Sequence, residues 1–282
     1  MISILVPVRN EAANIVACVD SVRWADEIIV VDSGSSDGTI DLAKSNGATV
    51  VQFEWNGKFP KKKNWALQNV PWKNDWVLIL DADERITPEL AAEIQTELQN
   101  PCFDGYFINR RFMFLGKWIR HCGYYPSWNM RLFRHKLGRY ETMHGGDTSS
   151  GDNEVHEHVA LDGTTASLKN DMIHYAYPDI YTWMEKHNRY SNWEAEVELH
   201  GDQFDASGAG IGERLSARRK LRAWSRRLPF RPALRFFYSY VFKRGFLDGL
   251  EGLMFCRLLA TYEMLSVFKA HELRQKAKHC ER

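Results

Sequence analysis

Short apolar runs alternate with amphipathic stretches through the first hundred residues. Residues 2–8, 27–31, 49–53 and 76–80 have strand length and are rich in Val, Ile and Leu. Between them, residues 12–22, 38–46 and 61–69 carry helical spacing. Parallel neighbours need crossover connections of this kind, so the rhythm predicts an α/β half with a parallel sheet. Thr87-Pro88-Glu89 opens a further helix: a hydroxyl to cap, proline in the first turn, an acid at the positive end of the dipole.

The pattern changes after Phe103. Residues 106–114 and 128–133 read as strands among loops containing Gly, Asp and His, and helical spacing returns over 181–199. The polar stretch 201–212 reads as a linker. Residues 214–235 then carry nine Lys or Arg, among them Arg231 and Arg235, and no acid. An aromatic run over 236–242 follows, and after it a mainly apolar helix ending near Phe268. A basic block beside aromatic helices has the composition of an interfacial anchor on an anionic membrane surface. The bland alternative is a solvated basic helix followed by core helices. The apolar runs are too short or too interrupted, at Arg257 and Glu263, to span a bilayer, and no export leader is expected.

Composition narrows the picture. With 282 residues, a net charge of +1, 26% charged and 44% hydrophobic residues, disordered and supercharged classes are excluded. Five scattered cysteines without a Cys-x-x-Cys point to a reducing compartment rather than a disulfide framework or zinc ribbon. Aromatic content is high at 13%, which suits a sugar platform or membrane belt but also a large core.

Candidate chemistry gathers at strand ends. Asp81-Ala82-Asp83 closes the run 76–80, and ligands of open α/β sheets bind beyond the carboxyl ends of strands. Two carboxylates at that spacing suit a hard divalent cation that can bridge substrate phosphates. Asp32 closes the second strand before Ser-Gly-Ser-Ser-Asp37-Gly38, where small residues admit a ligand and Asp32 can accept hydrogen bonds from a base or ribose. Asp37 reads as the cap of the next helix. Pro7-Val-Arg-Asn-Glu11 closes the first strand, so three strand ends converge on one crevice. Of Lys61-Lys62-Lys63, Lys63 is the best placed to neutralise a phosphate. Gly208-Ala-Gly210-Ile-Gly212 mimics a dinucleotide fingerprint but follows polar residues rather than a strand, and no P-loop exists. His156 and His158, with His144 and His174, form a weak zinc alternative.

Together these segments resemble family 2 glycosyltransferases of the GT-A fold. The resemblance rests on Ile4-Leu-Val-Pro-Val-Arg-Asn-Glu11, on Val30-Val-Asp32-Ser-Gly-Ser-Ser-Asp37-Gly-Thr39 and on Leu78-Ile-Leu-Asp81-Ala-Asp83-Glu84. Lys63-Asn64-Trp-Ala-Leu67, Arg131-Leu-Phe133, Val155-His-Glu157 and Arg244-Gly-Phe-Leu-Asp-Gly-Leu-Glu-Gly252 draw it toward the bacterial lipopolysaccharide-core type. The resemblance implies an inverting transfer from a nucleotide-diphosphate sugar, UDP-glucose or similar, with Mg2+ or Mn2+. The implied acceptor is a lipopolysaccharide core or other glycolipid. Carried over by position, Pro7, Glu11 and Asp32 would contact the nucleoside and Lys63 the diphosphate. Asp81 would meet the ribose or metal, Asp83 would hold the metal, and Glu157 would be the base beside His156. Asp147, Asp152 and Glu154 are rival bases. No Gln-x-x-Arg-Trp motif is present, which favours addition of a single sugar.

On this basis the chain divides into a nucleotide-sugar-binding half (1–100), an acceptor-side half with the catalytic loop (101–200), and a linker, basic segment and amphipathic helices (201–282). The expected location is cytoplasmic, peripheral on the inner face of the cytoplasmic membrane. Two rivals remain. A sugar nucleotidyltransferase would also use an acidic α/β crevice with metal, but no Gly-rich triphosphate loop lies near the N-terminus. A non-catalytic protein could grip membrane or nucleic acid with its basic block; the near-zero net charge argues against nucleic acid.

Overall fold

The first strands are apolar at nearly every position because both of their faces are covered. In β1 (Ile2–Val8), β2 (Glu27–Asp32) and β4 (Trp76–Ile79), alternate residues sort to opposite sides. Ile4, Val6, Val30 and Leu78 enter one core with helices α1 (Ile15–Asp20) and α4 (Pro88–Glu97); Leu5, Val31, Val77 and Ile79 enter the other with α3 (Lys62–Asn69). Helix α2 (Thr39–Ser45) and strand β3 (Thr49–Gln52) complete this half. The computed structural model describes residues 1–57, 60–141, 158–200 and 228–280.

Strands β1 to β4 are parallel, in the order β3-β2-β1-β4. The chain moves outward from β1 to β3 and then returns to β4 on the other side of β1, which makes a topological switch point there. The helix predicted at Thr87 forms as argued, with Leu90 N–H donating to Thr87 Oγ1 at 3.2 Å.

Beyond β4 the sheet is mixed rather than parallel. β5 (Glu84–Arg85) is a two-residue edge; β6 (Gly105–Phe114), β7 (Lys117–Trp118) and β8 (Trp128–Arg134) follow without crossover helices. Strand β8 therefore runs antiparallel to both β4 and β6. A separate ladder pairs β9 (Gly138–Tyr140) with β10 (Val159–Leu161). Strand β11 (Thr165–Tyr177), absent from the sequence reading, lies between β6 and β5. Its polar sequence and two register shifts against β6 erase the alternation that marks a strand.

Helix α5 (Ile180–His200) packs on α7 (Gly249–Cys280), which runs well past the expected end near Phe268. Between them stand α6 (Arg231–Phe237), a π-helical turn (Tyr238–Phe242) and a 3-10 turn (Gly245–Asp248). A third core joins Phe112 and Phe114 of β6 to Trp183 of α5 and Phe255 and Leu259 of α7. The glycines of the 244–252 segment make this joint. A Cβ on Gly252 would sit 2.2 Å from the Gly245 carbonyl oxygen, and one on Gly245 would sit 2.8 Å from Cys256 Sγ. Asp248, buried, accepts from the backbone N–H groups of Arg120 (3.4 Å) and His121 (2.8 Å), tying α7 to the loop after β7. Among the described residues no helix is long and apolar enough to cross a membrane. The linker 201–212, with its glycine decoy, lies outside the described residues.

Candidate active site

The register Val8↔Asp32 and Leu5↔Ile79 brings the ends of β1, β2 and β4 to one edge. Asn10–Ala12, Asp32–Thr39 and Asp81–Asp83 converge there, as the strand-end argument requires. The first two loops are laced together. Asn10 N–H donates to Ser35 Oγ (2.8 Å), Ser36 N–H to Asn10 Oδ1 (2.9 Å), and Glu11 N–H to Thr39 Oγ1 (2.8 Å). Asp37 accepts from Ala12 N–H (3.0 Å) and Thr39 N–H (3.1 Å), so it braces the turn before α2 rather than capping that helix, whose N-cap is Gly38. Asp32 is fully buried and accepts from Gly34 N–H (2.9 Å), Ser35 N–H (3.0 Å) and the Ser35 hydroxyl, so it braces its own turn. Lys62, buried, donates to Val8 O (2.9 Å) and Ser33 Oγ (3.0 Å), locking the β1 end against the β2 end.

Lys63 turns toward the acids, with Nζ 3.2 Å from Asp81 Oδ1 and 5.1 Å from the centre of the Tyr140 ring. Asp81 also receives Arg131 Nη2 at 2.7 Å, and the same nitrogen donates to Glu84 Oε1 at 2.7 Å. Burial pushes the Asp81 carboxyl up, but Arg131 and Lys63 outweigh it and hold Asp81 well below the usual carboxylate range. Asp83 behaves alike. Burial raises it, while His174 (Nε2 3.5 Å from Oδ1) and Lys186 (Nζ 3.7 Å from Oδ2) bring its net position down. Glu11 goes the other way. Its desolvation, with Asp83 and Asp81 adding to it, outweighs the Asn14 hydrogen bond and Lys186 and raises its pKa.

Three partners hold this loop that the sequence argument did not single out for that role. Glu84, with no exposed surface, accepts from Asp81 N–H at 2.9 Å and lies 3.5 Å from Arg110 Nη1. Arg85 donates to the carbonyls of Ala82 (2.6 Å), Glu84 (2.7 Å) and Asn14 (3.1 Å). Lys186 comes from α5, a hundred residues along the chain. Nothing local in the sequence announces it; its signal is the fold itself.

Glu157 and His156 lie outside the described residues, as do Asp147, Asp152, Glu154 and His144. The flanking residues are described. Glu141 N–H donates to His158 O at 3.0 Å and His158 N–H to Glu141 Oε2 at 3.2 Å. Next to this pair, Tyr140 exchanges two hydrogen bonds with Asn64 of α3, at 2.8 and 2.9 Å. The ladder leading to 142–157 is therefore anchored beside Lys63. Among the described residues no group of three His, Cys, Asp or Glu could hold a metal ion; of the four histidines of the zinc alternative, His144 and His156 lie outside the described residues.

The donor set does fit a hard cation in an open site. Arg131 and Lys63 neutralise Asp81, while Asp83, with Lys186 at 3.7 Å on one oxygen, has its other oxygen 3.5 Å from His174 Nε2. Cations such as Mg2+ take one or two carboxylates and fill the remaining positions with water and phosphate oxygens.

An acidic crevice at the switch point of a mixed sheet defines a GT-A-like α/β protein. The Glycosyl transferase family 2 profile matches residues 3–156, and the chain belongs to that family of glycosyltransferases. It is 27% identical over 277 residues to an uncharacterized glycosyltransferase of Rickettsia bellii (strain RML369-C), covering 96% of this chain and 86% of that one. It is also 28% identical over 203 residues to the lipopolysaccharide core biosynthesis glycosyltransferase LpsC of Rhizobium meliloti (strain 1021), covering 67% and 68% of the two chains. Among solved structures, the mannosyltransferase PcManGT of Pyrobaculum calidifontis, in complex with GDP-Man and Mn2+, shares the fold. Its TM-score is 0.54 at 17% identity, covering 95% of this chain and 86% of that one.

Proposed function

We propose that this glycosyltransferase moves one sugar, with inversion, from a nucleotide-diphosphate donor of the UDP-glucose kind to a lipopolysaccharide-core or other lipid-linked acceptor. The observation that carries the reading is the strand-end crevice, where Glu11, Asp81 and Asp83 face the ammonium groups of Lys63 and Lys186. The similarity to LpsC supports the acceptor class.

In this reading residues 1–100 bind the donor, 101–200 face the acceptor, and 201–282 carry the linker, basic segment and helices. Pro7, Glu11 and Asp32 frame the nucleoside, Asp32 by shaping the turn that its carboxylate braces. Asp83 with His174 would hold Mg2+ or Mn2+, and Asp81 would supply a second oxygen or meet the ribose. The cation, when bound, supplies a Lewis acid that neutralises charge on the leaving diphosphate. Lys63 adds a fixed positive charge on that side, and Arg131 keeps Asp81 ionised and aimed. Glu157, next to His156 and one residue before His158, takes the proton of the acceptor hydroxyl as it attacks the anomeric carbon. General bases of this kind contribute about 10²–10⁴-fold. The site opens to the cytoplasm, with the enzyme peripheral on the inner face of the cytoplasmic membrane.

The test is incubation with radiolabelled nucleotide sugars, Mg2+ or Mn2+, and a lipopolysaccharide-core or lipid extract. Label should enter the lipid fraction for one donor, and Asp83→Asn should abolish transfer while the protein still melts in one cooperative step. A parallel incubation with nucleoside triphosphates and sugar 1-phosphates that released pyrophosphate would identify a sugar nucleotidyltransferase instead. Neither product, across the donor set, would leave the binding-protein reading.

A further inference from the structure

We infer that the segment from α6 to the first turn of α7 is a lipid-docking surface that seats on an anionic bilayer. It presents Phe230 at 82%, Phe242 at 77% and Leu250 at 66% exposure, with Phe237 and Leu247 more than half exposed. Helix α6 buries none of its residues. The sequence expectation joined the basic block 214–235 to the aromatic helices after it, and the described part of that region is the aromatic one. Most of that block lies outside the described residues, and Arg231 is spent internally. Its guanidinium bridges Glu198 and Glu263 at 2.6 Å each and so clamps α6 to α5 and α7.

The exposure is not that of a loose segment. Arg231 fixes one end. At the other, Cys122 N–H donates to Lys243 O at 3.1 Å, Gly245 is packed under the Cys122 and Cys256 sulfurs, and Asp248 holds the backbone at Arg120 and His121. Phe230 (φ 55°), at the start of the exposed stretch, and Arg244 (φ 56°), within it, adopt the left-handed region that side chains disfavour. A pinned, strained segment cannot relieve its apolar surface by collapsing onto its own core.

Charge selects the occupant. From residue 228 to 250 the only acid is Asp248, which is buried against His121, while Lys243 and Arg244 are exposed beside the rings. Glu251, in the first turn of α7, is neutralised by Lys117 Nζ at 2.8 Å, so the aromatic and aliphatic tips are flanked by an excess of cations and match a layer of anionic headgroups over acyl chains. A second copy would bring Lys243 and Arg244 against their own kind. The surface deepens the lipid-linked acceptor proposed above, and it rests on that reading for its purpose alone. Its test uses neither donor nor acceptor, so its failure is separate from failure of the transfer assay.

The full chain is co-sedimented with phosphatidylcholine vesicles, with and without phosphatidylglycerol, across a salt series. The protein should pellet with the anionic vesicles and release as salt rises. Phe242→Ser with Leu247→Ser should weaken partitioning roughly tenfold at every salt concentration without lowering the melting temperature. Lys243→Glu with Arg244→Glu should erase the preference for phosphatidylglycerol. Any of four results would overturn the proposal. They are equal pelleting with both vesicles, binding untouched by the Ser pair, a melting temperature that falls as for a core substitution, and a dimer in sedimentation velocity that the Ser pair dissolves.

Discussion

Replacing Arg131 by Met removes one guanidinium nitrogen that serves two carboxylates at once. Glu84 suffers most, because it has no exposed surface and loses a 2.7 Å partner. It keeps only the Asp81 N–H at 2.9 Å and Arg110 at 3.5 Å. Removing one member of a buried ion pair costs about 3–5 kcal/mol, and the two remaining partners place this case near 3. Asp81 adds little in comparison, since its side chain is 33% exposed and Lys63 stays at 3.2 Å, so solvent screening discounts its share. In a chain of this size each kcal/mol moves the melting temperature by about 2 °C, so a fall of about 6 °C is expected by scanning fluorimetry. The pH dependence has a definite sign. Asp81 is depressed in the folded protein, so its stabilisation is complete above the unfolded carboxyl pKa of about 4 and is lost as pH falls through the lower folded value. In Arg131→Met the Asp81 carboxyl is less depressed, so that loss should be smaller and be complete at higher pH. A double-mutant cycle with Glu84→Gln should return a coupling of about 1 kcal/mol or more. A melting temperature within about 2 °C of wild type, or additivity in the cycle, would refute the bridging role.

Two further outcomes follow from other parts of the molecule. Gly252→Ala places a methyl 2.2 Å from the Gly245 carbonyl, a backbone atom with little freedom to move, and should destabilise by about 1–3 kcal/mol in urea denaturation. Glu11→Gln should raise the melting temperature at pH 7 while impairing transfer, because burial and two neighbouring carboxylates disfavour the charged form; the gain should vanish as pH falls through the raised Glu11 pKa, where wild type is itself neutral. A variant less stable than wild type at pH 7 would show that the Glu11 charge is not strained.

What the sequence disclosed follows from the range over which each physical signal acts. The strand ends at Val8, Asp32 and Ile79 were legible because apolar alternation and short polar turns are local, and the parallel register then fixes their convergence. Thr87 was legible for the same reason, since a cap satisfies donors within three residues of itself, whereas Asp37, expected as a cap, braces the turn before α2, whose N-cap is Gly38. Strand β11 was not, because its partners lie far along the chain: Asp171 faces Asn109 and Arg111, while His174 faces Glu84 across the ladder. There polar side chains are buried against one another, and hydrophobic periodicity carries no record of that. The balance of charge at the crevice was illegible on the same ground. Lys186 and Arg110 are unremarkable cations in sequence, Arg131 stood there only as part of a short motif with no charge role, and only the antiparallel return of β6 and β8 with the packing of α5 brings them onto three acids. Sequence spacing thus located the carboxylates, while the fold decided which of them stay charged. Asp81 and Asp83 are held ionised by cations that distant strands and α5 deliver, and Glu11 is left under strain at the mouth of the same crevice. That difference in charge among three neighbouring acids is a property of the tertiary structure alone.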